Sequence, residues 1–400
     1  MLSRLGFRYR IYPTLEQEAR LLDWEDALRA LWNAANEQRL EYLKRHASMP
    51  SAFDQSNQLK DLRADLPWQA DLPRHSADKL LVDLDAAWQR CFMKLGRKPR
   101  WKKKGRGAIS ITEPYSKGFR LTATGVVFPK LGEIRAVFHR PIQGIQKICT
   151  ISREVNQWFV SIQCEQDVPE PDRRTGPVVA IDRGITNLLA DSDGAVIKNP
   201  KYLEGAIKRL ARAQRVVARR EKGSRRRERA KFKVAVLHRK VRRRRQHTLH
   251  VLSSNYAKSH GVVVLERLNV KGMVRSNLGR QISDAGWSTF RSMLRYKLEA
   301  TGGTLVEIPA HYSSQTCMAC GVVNAANRSG EVFSCVTCGY TAHADLNAAQ
   351  VLLSRRNGGG AGRGGFPEVR GPAKRQLRVV RRGRSTRQFG LPKSPDFKVG

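Results

Sequence analysis

Long apolar runs are absent from this 400-residue sequence, which nowhere approaches the roughly 18 to 20 consecutive apolar residues of a membrane span. A helical membrane protein is therefore excluded, and no membrane partner is expected. The N-terminus, MLSRLGFRYRIYP, also lacks an apolar segment of signal-peptide length before its arginines, so the chain is expected to stay in the cytoplasm. Acidic residues are scarce: 35 Asp and Glu face 74 Lys and Arg, a formal net charge of +39. Self-repulsion on that scale destabilises a compact state, so a large polyanion is the natural counterion. Nucleic acid fits best, with a membrane surface or an acidic protein as the lesser alternatives. Cysteine is sparse too. Cys91, Cys149 and Cys164 are scattered, while Cys317, Cys320, Cys335 and Cys338 crowd one short window. That pattern argues against a disulfide framework and for a metal site in a reducing compartment.

What is present divides the chain into segments. Phe7, Tyr9 and Ile11 alternate with Arg8 and Arg10, a strand ended by Pro13. Thr14 and Gln17 have capping-box spacing, and Leu21, Trp24, Leu28, Leu31, Trp32 and Ala35 recur with helical period. A polar stretch from Ser48 to Pro73 leads to a second helix near Ser76–Leu95. After the basic run Lys98–Lys104, short alternating segments from Ala108 to Val168 predict a small antiparallel sheet or barrel that also takes in the first strand. Pro169–Thr175 reads as a linker.

Beyond it, Val178–Ile181 is apolar at consecutive positions, as in a strand buried on both faces, and ends at Asp182. Asp193-Gly194 suggests a hairpin. Residues 202–260 read as a helical hairpin turning at the charged GSRRRER, with basic outer faces. A solvated surface would account for such a charge run, but the surplus of one sign, with few acids for i,i+4 pairing, favours phosphate contact. A strand at Val262–Leu265 ends at Glu266, a third follows at Thr304–Ile308, and Asp345 opens a helix to Leu353. From Ser354 onward, Gly, Arg and Pro dominate, which predicts a disordered basic tail over 354–400.

Two constellations carry chemistry. Two Cys-x-x-Cys knuckles, each followed by glycine, place four thiolates where tetrahedral zinc can take all of them. Such a site is closed and therefore structural. The second is three acids at element edges: Asp182, Glu266 and Asp345. Strand-end carboxylates of one sheet meet at one rim, and three of them suit two magnesium ions at a phosphodiester. Each alone has an ordinary alternative: a turn residue, a partner for Arg267, a helix N-cap.

The segments VVAIDRGITNLLA, VVVLERLNVKGM, SSQTCMACG, NRSGEVFSCVTCGY and HADLNAAQVLL resemble the TnpB family, transposon-encoded RNA-guided DNA endonucleases related to compact type V CRISPR effectors. FRYRIYPTLEQ, FPKLGEIRAVFHRPIQG and the basic hairpin extend the resemblance over nearly all of residues 1–353. It implies an α/β plus β-barrel fold. A WED-type barrel (1–13 and 101–170) is interrupted by a helical REC insertion (14–100). An RNase H-like RuvC nuclease domain (176–312 and 343–353) carries an inserted zinc ribbon (313–342).

The resemblance further implies a catalytic triad at Asp182, Glu266 and Asp345 with catalytic magnesium, and structural zinc on Cys317, Cys320, Cys335 and Cys338. It puts Arg328 near the scissile strand. Guide RNA from the transposon end and double-stranded target DNA are the implied partners, in a bacterial, nucleoid-associated setting. Oligomeric state stays open, with a monomer holding one RNA as the expectation. Expected nucleic-acid contacts are Lys79, Lys102, Lys103, Arg225, Arg226, Arg242, Arg243 and position 99, which is Pro99 between Lys98 and Arg100. Where relatives show a Gln-Gln pair near the residues that read the target-adjacent motif, this chain has Asp78 and Lys79, which leaves the recognised motif open. Rival functions are a non-cleaving RNA-guided DNA-binding protein acting by occlusion, and a DDE-type transposase.

Overall fold

The computed structural model describes residues 2–45, 48–105, 107 and 109–358. In chain order the first lobe comprises β1 (Leu2–Tyr12), α1 (Leu15–Arg45), α2 (Ala52–Asp65), α3 (Pro67–Asp71), α4 (Arg74–Phe92), β2 (Ile111–Glu113), β3 (Arg120–Leu121), β4 (Gly125–Phe128), β5 (Gly132–Val137), β6 (Ile145–Glu154) and β7 (Gln157–Asp167). The strands form one antiparallel sheet ordered β2-β6-β7-β1-β5-β4-β3. β1 is central, pairing with β7 along its length and with β5 at Arg10–Tyr12. A one-residue slip would turn its apolar set outward, so the alternation fixes its register. The edge strands β2 and β3 do not pair with each other, so among the described residues the hydrogen-bonded order is open.

Helices α1–α4 fall between two strands of this sheet and share its core. Trp24 and Leu28 join Phe7, Tyr9, Ile11, Trp158 and Val160 in one apolar cluster. The Thr14 capping box forms, with Gln17 N donating to Thr14 Oγ1 at 3.2 Å and Thr14 N to Gln17 Oε1 at 3.0 Å. The polar stretch 48–73 is more ordered than its sequence suggests, because Ser51 and Asp54 build a reciprocal cap for α2. Leu59 is buried, but the stretch carries too few apolar positions to show a period.

The second lobe comprises β8 (Val178–Asp182), β9 (Asn187–Asp191), β10 (Val196–Lys198), α5 (Tyr202–Ala218), α6 (Arg225–Ser259), β11 (Val262–Arg267), α7 (Val270–Met273), α8 (Gly279–Ala285), α9 (Trp287–Ala300) and β12 (Thr304–Pro309). A small sheet follows, β13 (Arg328–Ser329), β14 (Val332–Ser334) and β15 (Thr341–His343), then α10 (Ala344–Arg356). The main sheet is ordered β10-β9-β8-β11-β12; β8, β11 and β12 pair in parallel, and β9 runs antiparallel to both of its neighbours, β8 and β10. Its faces explain the continuous apolar runs. Val179, Ile181, Val263 and Leu265 pack on α6, α8 and α9, whereas Ala180 and Val264 meet Leu352 of α10.

The helical hairpin turns at 219–224 rather than within the arginine run: Ser224 caps α6, so Arg225–Arg227 already belong to its first turn. The last helix continues past Leu353 to Arg356, so the start of the expected tail is helical. Residues 359–400 of that tail lie outside the described residues. None of the described helices is long and apolar enough to cross a membrane.

Candidate active site and metal centre

Parallel pairing of β8 with β11 runs from Val178↔Val262 to Ile181↔Leu265, so the next residues, Asp182 and Glu266, stand side by side at the C-terminal rim. Alternation along each strand puts them on the face of Ala180 and Val264, which α10 covers. Asp345 is the second residue of α10, and it reaches the same rim. Burial, then the Glu266 and Asp345 carboxylates, push the Asp182 carboxyl well above the usual range, against the pull of Arg328 and Arg183. Burial raises Glu266 as well, opposed by Arg183 and by a hydrogen bond with Asp182.

The three acids thus feel one another without closing into a tight cage. Among the described residues, the four cysteines are the group that brings ligand atoms within 4.8 Å of one another. Protein donors occupy both oxygens of Asp345: Arg328 Nη2 lies 2.8 Å from Oδ1, and Asn187 Nδ2 lies 3.0 Å from Oδ2. Asp345 is not the helix N-cap; His343 Nδ1 takes that role, accepting from Asp345 N at 3.2 Å. The buried Arg183 donates its backbone N–H to Glu266 Oε1 at 3.3 Å and its guanidinium to the Glu266 carbonyl.

Sequence reasoning placed Arg328 here but missed the roles of Arg183 and Asn187. Both lie inside the segment VVAIDRGITNLLA, five residues apart at most from Asp182, yet only the turn between β8 and β9 shows which acid each serves.

The cysteines form a second centre. Cys317 and Cys338 sulfurs lie 3.7 Å apart, and Cys320 and Cys335 sulfurs 3.6 Å. A tetrahedron with Zn–S of about 2.3 Å spaces its sulfurs about 3.8 Å apart, so the set fits zinc. Gly321 and Gly339 adopt φ of +77° and +71°, the left-handed turn that brings each knuckle round, and each donates back to the first cysteine of its knuckle. Backbone N–H groups of Cys338 and Thr337 help pull the Cys335 thiol down to about 6.

The buried Asn347 ties this centre to α10, donating to the Thr316 carbonyl at 2.8 Å and accepting from Met318 N at 3.0 Å. Arg328 begins β13 of the same small sheet. The cysteine-bearing unit therefore carries an arginine into the acid cluster.

The expected nucleic-acid contacts scatter over several environments. Arg225, Arg226 and Lys103 are exposed. Lys102 lies over the Trp32 ring at 4.3 Å, and Lys79 pairs with Asp83 one turn along α4. Arg242 and Arg243 both bind Glu154 at the end of β6. Position 99 is a proline and carries no charge, so it supplies no ionic contact.

Comparisons with known proteins agree with this layout. A family described as "Probable transposase" matches residues 161–277, and one described as "Cas12f1-like, TNB domain" matches 287–352, the span from α9 through the cysteines to α10. A "Helix-turn-helix domain" family matches 1–48, although the described residues there are a strand, Leu2–Tyr12, followed by one long helix, Leu15–Arg45. The fold is similar to that in "Cryo-EM structure of the Cas12f1-sgRNA-target DNA complex". The TM-score is 0.52 at 13% identity, covering 88% of this chain and 98% of that one.

Among curated relatives, the Streptomyces pristinaespiralis "Putative RNA-guided DNA endonuclease" is 34% identical over 87% of this chain and 88% of its own length. The "Putative RNA-guided DNA endonuclease InsQ" of Escherichia coli (strain K12) is 30% identical over 87% of this chain and 91% of its own. On these matches, the chain belongs to the TnpB family of RNA-guided DNA endonucleases that its motifs resemble.

Proposed function

We propose that this chain is an RNA-guided DNA endonuclease that cuts both strands of a target at one centre, built from Asp182, Glu266 and Asp345. The observation that carries this is the crowding of Asp182 and Glu266 at one strand rim, with Asp345 brought over them by α10. Burying that much negative charge without a partner is costly, and hard carboxylate oxygens fit a divalent cation such as magnesium. When bound, magnesium supplies the positive charge that activates a water and stabilises the leaving oxygen of a phosphodiester.

The rest of the chemistry belongs to the chain. Arg183 orients Glu266. Asn187 and Arg328 donate to the two Asp345 oxygens and fix its orientation, and Arg328 would turn from Asp345 to the phosphate of a bound strand. The strand order β10-β9-β8-β11-β12 supports reading the second lobe as an RNase H-like RuvC domain, with the cysteine unit as its zinc ribbon and the first lobe as a WED-type sheet carrying a REC insertion. Zinc here is structural, because four thiolates leave no open position. A guide RNA from the transposon end would read sequence by base pairing, leaving the protein to hold phosphates and to recognise a short flanking motif.

The test is cleavage by the guide-loaded chain with magnesium. Asp182→Ala and Glu266→Gln are expected to lose cutting by at least 1,000-fold, about 4 kcal/mol of barrier, while guide and target binding persist. Magnesium-dependent cutting retained by either variant would remove that acid from the centre.

A further inference from the structure

The outer face of the first sheet carries charge that its own neighbours do not balance. Alternation in β1 turns Arg8 and Arg10 away from the core, and Arg10 stands in register with Phe159 of β7. Helix α6 reaches the same place and adds Arg239, Arg242 and Arg243. Three guanidiniums gather at the Phe159 ring, with Arg8, Arg10 and Arg243 at 4.1, 5.4 and 5.4 Å from its centroid. One carboxylate serves the group: Glu154 takes Arg243 at 2.7 Å, Arg8 at 3.6 Å, and Arg242. Arg239 is spent on the Glu154 carbonyl at 3.0 Å and Asn156 Oδ1 at 2.9 Å.

The local excess is therefore positive by several charges, and the buried Nε of Arg10 has no hydrogen-bond partner among the described residues. Burial and the neighbouring arginines hold the guanidiniums of Arg10 and Arg239 below their ordinary range. Arg8, Arg242 and Arg243 remain reachable, their side chains 52%, 48% and 41% exposed. Tyr12, half exposed and 5.2 Å from the Arg10 guanidinium, offers a ring beside them.

An interface meant only to hold two lobes together would alternate signs. This one concentrates one sign around a single acid and an aromatic face, which is a poor glue and a good receptor. Guanidinium forks match the oxygens of a phosphate, and an aromatic ring accepts an unstacked base. We propose that this cluster is an anion site for the phosphodiester backbone of a bound nucleic acid, with Arg8, Arg10 and Arg243 as its phosphate ligands. The proposal rests on the RNA-guided reading of the chain, and it names where the backbone is gripped.

The test uses full-length, RNA-free protein carrying Arg8→Gln, and the same with Arg10→Gln added. Binding is measured against salt with two probes, the RNA that copurifies with the wild type and a duplex DNA offered to the RNA-loaded protein. If the site holds guide RNA, the double variant loses at least tenfold in RNA affinity at 0.2 M salt, and its log–log salt slope becomes shallower by about 1.5. If it holds target DNA, the same loss appears in the DNA arm alone. Arg8→Lys, which keeps charge but not the fork, is expected to keep the slope and lose part of the affinity. Relief of repulsion should leave the thermal midpoint of the RNA-free variants unchanged or raised. Unaltered affinity in both arms overturns the proposal, as does a midpoint that falls by several degrees while both affinities persist. Wild-type cleavage is scored separately, so a chain that binds RNA but does not cut would count against the nuclease and not against this site.

Discussion

Replacing Asp182 with Asn keeps the side-chain volume and, at pH above the raised pKa of Asp182, removes one negative charge from the rim. Asp182 and Glu266 occupy neighbouring strands in register, and such strands run about 5 Å apart. Two carboxylates at that separation, with an effective dielectric of 20, repel by about 3 kcal/mol. Arg183 and Arg328 already offset part of this, so about 1–2 kcal/mol of net relief is expected. For a domain of this size each kcal/mol moves the thermal midpoint by about 2–4 °C. Where both carboxylates are ionised, the metal-free variant should therefore melt about 2–8 °C above the wild type.

Proton linkage gives the direction with pH. Acids whose pKa is raised by folding bind more protons in the native state than unfolded, so metal-free wild-type stability falls as pH climbs through the raised pKa. The variant should lose much of that dependence. Magnesium should reverse the order, because a cation held by the acids stabilises the wild type and not the variant. Scanning fluorimetry of RNA-free protein, in EDTA and in magnesium across pH 5–8, reads all three effects. A variant that melts at or below the wild type in EDTA, with an unchanged response to pH and magnesium, would refute the crowded-carboxylate account.

Metal analysis should find one zinc per chain, lost when Cys335 is replaced by Ser; a full complement of zinc in that variant would contradict the four-thiolate site. Asn347→Leu leaves the Met318 N–H and the Thr316 carbonyl without partners, which is expected to cost about 1–3 kcal/mol and to speed zinc loss to a chelator, and an unchanged release rate would argue against that tie. Lys79→Gln removes the partner of Asp83 and should shift the flanking motif enriched in a randomised-target cleavage assay; identical enrichment would exclude Lys79 from motif reading.

Local pattern determined a good deal of this protein. The 3.6-residue period of Trp24, Leu28 and Leu31, the alternation of Phe7, Tyr9 and Ile11, and the Thr14 cap specify their elements because each depends on neighbours a few residues away. The cysteine knuckles are legible for the same reason: their spacing and their glycines set the geometry before the rest of the chain folds. The segment 48–73 was harder to read, since two short helices with few buried residues leave no apolar period.

Sequence alone could nominate Asp182, Glu266 and Asp345 as strand- and helix-edge acids, each with an ordinary alternative. Tertiary structure decided that parallel register sets the first two side by side, that the α10 face receives both, and that Arg328 and Asn187 converge on the third. It likewise gathered arginines from β1 and α6 around Glu154, more than two hundred positions apart at the extremes. Those pairings depend on which elements pack together, and side-chain charge, unlike hydrophobic period, leaves no local trace of its eventual neighbour.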